Sequence, residues 1–299
     1  MKHYEVLIIG GGMAGMSTAL LLGRTLIDCC IISKAHVGIS KDYTPHNFIT
    51  NDGRGMAEII GNGKADLAKY NHIDFKDNNV INVTKTDGLF HVEMEDGQKV
   101  IGKKIVFSSG SSYNFDSAFS GLKDIFGISA YNCPFCHGYE MQEKEIAVVG
   151  KQQDAEPLAK MLSIWTDKIK ILTHGDDANT TIPSQFEYIT TPIEYLHHDN
   201  GILKEIAFQN GNKIEADIIY MATMAPYVEA GLPSQLGLEM ALSPAVNVDV
   251  YPTDPYGRSQ MENVYIIGDL RTGFSTLVGA ANEGNILGMV LVSDILQSK

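Results

Sequence analysis

The chain has 299 residues, 44% of them apolar, and a formal charge of −13. That composition supplies a buried core for two domains, and no clustered Lys and Arg offer the attraction on which nucleic-acid binding depends. The longest apolar runs, such as Val6 to Ile9 and Ile286 to Val292, are shorter than the roughly 20 residues of a membrane helix, and Met1 to Tyr4 carry no export signal. A cytoplasmic protein is therefore expected, with neither nucleic acid nor membrane as partner.

Val6-Leu7-Ile8-Ile9 reads as a strand buried on both faces, followed at once by Gly10-Gly11-Gly12-Met13-Ala14-Gly15 and a helical pattern from Met16 to Arg24. Strand, glycine turn and helix make a dinucleotide site: Gly10 permits the turn, Gly12 lets backbone approach a pyrophosphate, and Gly15 lets the helix pack against the strand. Met13 and Ala14 open the helix, whose free N–H groups face the phosphates. Cys29 and Cys30 lie in the next apolar run and read as buried strand residues. That strand ends in Ser33-Lys34 where an acidic residue usually binds the adenosine ribose, which leaves Ser33 as the candidate contact.

Leu89 to Glu95 and Gln98 to Ile101 flank the hairpin signal Asp96-Gly97, and a further strand from Lys104 to Phe107 ends at Ser108-Ser109-Gly110, with Gly110 a second candidate for cofactor contact. The order then repeats: strand Ile146 to Gly150, a helix from Ala155 to Trp165, strand Ile169 to Thr173, a hairpin at Asn210-Gly211, and strand Ile218 to Met221. An α/β protein with two similar nucleotide-binding units is expected. In the second glycine turn, however, Gln152 occupies the close-approach position, and His174-Gly175-Asp176-Asp177 offers no arginine for a 2′-phosphate but two carboxylates that repel it. A nicotinamide bound there is expected to be NADH, or to take an unusual pose.

Between the units lies Cys133-Pro134-Phe135-Cys136-His137-Gly138-Tyr139-Glu140. C-x-x-C can be half of a zinc site, but no second cysteine pair or histidine cluster completes four ligands, so redox chemistry is favoured and no metal is expected. A thiolate is the nucleophile of disulfide exchange, and His137 is placed to favour its formation or to shuttle a proton near neutral pH.

With Thr44-Pro45-His46-Asn47-Phe48 and Val264-Tyr265-Ile266-Ile267-Gly268-Asp269, these motifs stand in an order that resembles the low-molecular-weight thioredoxin reductases and their relatives, the fungal dithiol oxidases. The resemblance covers essentially the whole chain. It implies two Rossmann-like, three-layer ββα domains: a discontinuous FAD domain of residues 1–114 and 244–299, and an inserted pyridine-nucleotide-like unit of 115–243 carrying the cysteines. It implies that Asp269 binds the flavin ribitol beside Gly268, that Ser275, Thr276 and Leu277 face the pyrimidine edge of the ring, and that His46 and Asn47 lie near the flavin. Cys136 would exchange electrons with FAD, and Cys133 with an external thioredoxin-like protein or small dithiol. Homodimers are the family's common form. NADH, NADPH or a ferredoxin donor would make the chain a reductase; oxygen as acceptor would make it a dithiol oxidase; a flavin redox sensor without turnover is the third reading.

Overall fold

The computed structural model describes residues 2–34, 44–113, 115, 119–176, 185–222, 227–228, 231–244 and 248–298. Two compact units emerge: Met1–Gly38 with Ala57–Ser112 and Val228–Lys299, and Ile39–Met56 with Tyr113–Tyr227.

The first unit is built on a parallel sheet in the order Ile73–Lys76, Cys29–Ile32, His3–Ile9, Lys99–Phe107, Val264–Ile266. Period-two alternation divides its core. Val6, Ile8, Cys29 and Ile31 pack with Ala19 and Leu22 of the helix Met13–Arg24 and with Leu287 and Leu291 of the helix Leu277–Gln297. Leu7, Ile9, Cys30 and Ile32 face the other way, onto Val83, Phe90 and Val92 of the antiparallel strands Val80–Thr86 and Leu89–Met94. The result is three layers. Cys29 and Cys30 are free thiols buried on opposite faces, each pushed up to about 12 by burial, and so serve as small hydrophobes.

The separate strands expected at Gln98 to Ile101 and Lys104 to Phe107 are one strand, Lys99–Phe107. Its first half pairs with Phe90–Glu93 and its second half with Val264–Ile266, so the ladder carries it through Gly102 without a break. Gly102 is needed there because a Cβ would meet Leu7 Cγ at 2.5 Å.

The second unit repeats the plan, with the parallel order Glu187–Ile189, Ile169–Leu172, Ile146–Val149, Ile218–Met221, Ala130–Tyr131 and an antiparallel meander of Ile193–Asp199, Ile202–Phe208 and Lys213–Glu215. Its helix spans Gln152–Leu162 rather than Ala155 to Trp165. Lys151 already caps it, and Ser163 Oγ donates to the Lys160 carbonyl, which ends the helix before Trp165. No helix among the described residues is long and apolar enough to cross a membrane.

The units apportion two segments by packing. Leu232, Leu236, Leu238 and Met240 join the first unit's core, while Asn47 hydrogen bonds to the cysteine segment of the second.

Candidate functional site

Two centres form, one in each unit. In the first, Gly10 has φ +111°, and a Cβ on it would lie 2.3 Å from the Ser108 carbonyl oxygen. Gly15 is closed off by the Gly10 carbonyl, 2.0 Å from its would-be Cβ. A Cβ on Gly12, by contrast, would meet nothing within 4 Å. The helix Met13–Arg24 starts there with no side-chain cap, so Met13 and Ala14 present their N–H groups beside open space, as a pyrophosphate requires. Ser33 follows the neighbouring strand, its Cβ against Gly11, and Gly110 takes φ +68° after Lys99–Phe107. Sequence reasoning missed Ser108, whose buried hydroxyl donates to the carbonyls of Ile9 and Gly10 and fixes the turn.

Gly268 and Asp269 follow the last strand of the same sheet. The Asp269 carboxyl is pushed up to about 6, chiefly by burial, against the Ser275 N–H that donates to it and with the nearby Glu283 charge adding to the rise. A half-buried carboxylate with one donor suits the hydroxyls of a ribitol chain. Thr276 caps the helix Leu277–Gln297 by accepting from the Gly279 N–H at 3.0 Å, which places Ser275, Thr276 and Leu277 together at its start. These donors, the open face at Gly12 and the carboxylate fit a flavin dinucleotide.

In the second unit Cys133 and Cys136 form a disulfide, Cα–Cα 5.4 Å, spanning the single-turn helix Pro134–His137. Pro134 at its first position needs no N–H partner and presets the turn. Gly138 follows because Trp165 lies against it: a Cβ would come within 2.7 Å of the indole. His137 is buried, its ring stacked on Tyr131 at 4.1 Å with His46 edge-on at 6.2 Å, and it donates to the Thr44 carbonyl.

Segment 44–53 braces this turn. Asn47, at φ +63°, donates from Nδ2 to the Phe135 carbonyl at 2.6 Å, and its own N–H is held by Asp52. His46 lies 3.5 Å from both Asp52 and Glu140. Within this unit, His46 and Asn47 are thus brought to the cysteines. Sequence reasoning assigned no role to Tyr131, Trp165, Asp52 or Glu140: Trp165 and Glu140 act through contacts distant along the chain, and Tyr131 and Asp52 through a ring stack and a turn bond that no motif announces.

Burial lowers His137 to about 4, with His46 adding to the fall. His137 therefore stands neutral at pH 7. The folded state disfavours the charged ring while the unfolded chain takes its proton below about 6.5, so this contribution is present above 6.5 and lost as pH falls towards 4. Urea unfolding should show the stability gap between the parent and His137→Asn narrowing by about 2 kcal/mol from neutral pH to pH 4.5. A gap independent of pH would sink this assignment. Asp269 works with opposite sign, since its raised value favours the folded state at low pH and that favour is lost as pH rises through about 6.

At the second glycine turn, Gln152 is the first residue of its helix, and its amide reaches the Tyr188 hydroxyl at 3.4 Å, which in turn donates to Glu156 at 2.9 Å. His174 accepts from the Ile193 N–H through Nδ1, Asp176 is exposed, and Asp177 lies outside the described residues.

The family model for pyridine nucleotide-disulphide oxidoreductases matches residues 4–175. The thioredoxin reductase tcpT of Claviceps purpurea is 24% identical over 310 residues, covering 98% of this chain and 94% of its own. The thioredoxin reductase of Mycoplasmopsis pulmonis is 22% identical over 312 residues, covering 98% of each. Among solved structures, a putative thioredoxin reductase TrxB from Bacillus anthracis superposes with TM-score 0.90 at 26% identity over 99% of each chain.

Proposed function

The chain belongs to the pyridine nucleotide-disulphide oxidoreductase family as a thioredoxin reductase-like oxidoreductase, and from that premise we propose an FAD-dependent thiol-disulfide oxidoreductase working through Cys133 and Cys136. The observation that carries this reading is the Cys133–Cys136 disulfide on a braced turn beside a buried neutral histidine. FAD would be held by the Gly10 to Gly15 turn, Ser33, Gly110, Gly268, Asp269 and the residues opening the C-terminal helix, and when bound it supplies reversible two-electron oxidation and reduction.

The protein's own part is exchange. With the pair reduced, the Cys133 thiolate attacks one sulfur of a partner disulfide, forming a mixed disulfide and releasing one partner thiolate. The Cys136 thiolate then attacks Cys133 sulfur, restoring the Cys133–Cys136 disulfide and releasing the second; two electrons pass from the pair to the partner. His137 takes the thiol proton on a ring nitrogen, since it is neutral beforehand. Phe135 and Tyr139, both exposed, give a partner an apolar landing surface beside the sulfurs. A thioredoxin-like protein or a small dithiol fits that chemistry.

Gln152 favours a second reading, a dithiol oxidase running the exchange in reverse with oxygen as final acceptor, because it occupies the position in the second glycine turn at which a dinucleotide site carries glycine. Anaerobic stopped-flow mixing with NADPH and NADH separately, following the flavin band at about 450 nm, decides between the readings. Rapid bleaching by either establishes a nicotinamide-driven reductase; bleaching only by a dithiol excludes it, and sustained turnover with a dithiol and oxygen then separates the oxidase from a ferredoxin-fed reductase. Gln152→Gly is expected to tighten NADH binding about tenfold by calorimetry. Unchanged binding would show that Gln152 is not the obstruction.

A further inference from the structure

At the end of the last strand, Gly268 takes φ +71° and ψ −151°, a conformation open to glycine alone. Its carbonyl accepts from the Thr272 hydroxyl, and its N–H donates to Glu283 Oε2 at 2.7 Å. The other Glu283 oxygen, Oε1, accepts from Arg271 Nη1 at 2.9 Å. Arg271 is itself anchored, Nε to Thr253 Oγ1 at 2.8 Å and Nη2 to the Pro255 carbonyl at 3.2 Å. Both side chains are largely covered, 23% and 17% exposed. One carboxylate thus ties the strand end, the loop at 253–255 and the C-terminal helix together at the residue before Asp269. An exposed ion pair contributes little, but a covered carboxylate that also satisfies a backbone N–H makes a strong charge-assisted bond.

We infer that Glu283 and Arg271 are positioning residues that hold the Gly268–Asp269 turn so that the Asp269 carboxylate meets the flavin. The inference rests on the flavin reading of this site. The groups acting on the Asp269 carboxyl are the Ser275 N–H and Glu283 from the C-terminal helix, and Arg271, on the short helix that Asp269 opens, pairs with Glu283. Arg271 pairs with Glu283, and the Glu283 charge adds to the rise that burial gives Asp269.

The test is the FAD dissociation constant of the full chain, read by flavin fluorescence on release from about pH 5 to pH 8, with apoprotein melting measured alongside. Glu283→Ala, which leaves the Gly268 N–H without its acceptor and Arg271 without its ion pair, is expected to weaken FAD about tenfold or more and to lower melting as the charge-assisted bond is lost. Glu283→Gln keeps an acceptor for Gly268: affinity at pH 8 should stay within about threefold of the parent, and the midpoint of the pH dependence should move down as a negative charge leaves Asp269. Arg271→Met, which exposes Asp269 to an unneutralised Glu283, should move the midpoint up. These two variants also decide the matter if Glu283→Ala does not fold. Parent-like affinity in Glu283→Ala, or midpoints unmoved in both other variants, overturns the inference. If Asp269→Asn binds FAD as the parent does, the flavin reading falls and this inference with it; if Asp269→Asn is weakened while the Glu283 and Arg271 variants are not, only the inference falls.

Discussion

Cys136→Ser is expected to lower disulfide turnover on the order of 10³-fold or more while the purified protein stays yellow. A serine hydroxyl neither closes a disulfide with Cys133 nor attacks a mixed one, so Cys133 remains able to capture a partner but not to release it. The glycine turn, Asp269 and the start of the C-terminal helix lie in the first unit and are untouched by the change. Mass spectrometry of the variant after incubation with an oxidised dithiol should find a stable adduct on Cys133. Parent-like turnover would refute the division of labour between the two sulfurs, and loss of FAD would place Cys136 in cofactor retention instead.

Gly284→Val should have the largest effect on the fold. A Cβ at Gly284 would lie 2.0 Å from the Ala14 carbonyl oxygen and 3.0 Å from Ser17 Cβ, so the C-terminal helix meets the first helix backbone to backbone. The Thr18 hydroxyl sits in the same seam, 3.0 Å from the carbonyl oxygens of both Ala14 and Gly284. No rotamer change relieves a clash with backbone, and the helices must part. A loss of about 3 kcal/mol or more is expected, because overpacking here also opens a buried hydrogen bond. Urea unfolding of the apoprotein measures it. FAD retention should fall in parallel, since Ala14 belongs to the Gly10 to Gly15 turn proposed to hold the cofactor. A variant as stable as the parent would show that the two helices do not pack as closely as their backbones indicate.

The sequence by itself determined the features that obey local rules. Gly10 and Gly15 announce their turn because positive φ at the one and close backbone approach at the other admit few other residues, and the unbroken apolar runs Val6 to Ile9 and Cys29 to Ile32 forecast a sheet covered on both faces. Cys133 and Cys136 announce a disulfide because three residues of separation let one helical turn bring them together. Tertiary structure alone decided the rest. That His137 is neutral follows from burial and from rings at positions 131 and 46, and no reading of its neighbours in sequence gives its environment. Asn47 reaches the Phe135 carbonyl across 88 positions, and Thr18 bonds Gly284 across 266. Glu283 is one more acid on a helix until the chain returns Gly268 and Arg271 to it. Burial, desolvation and the pairing of a backbone N–H are properties of the neighbours that folding assembles, so they are settled only when distant segments meet.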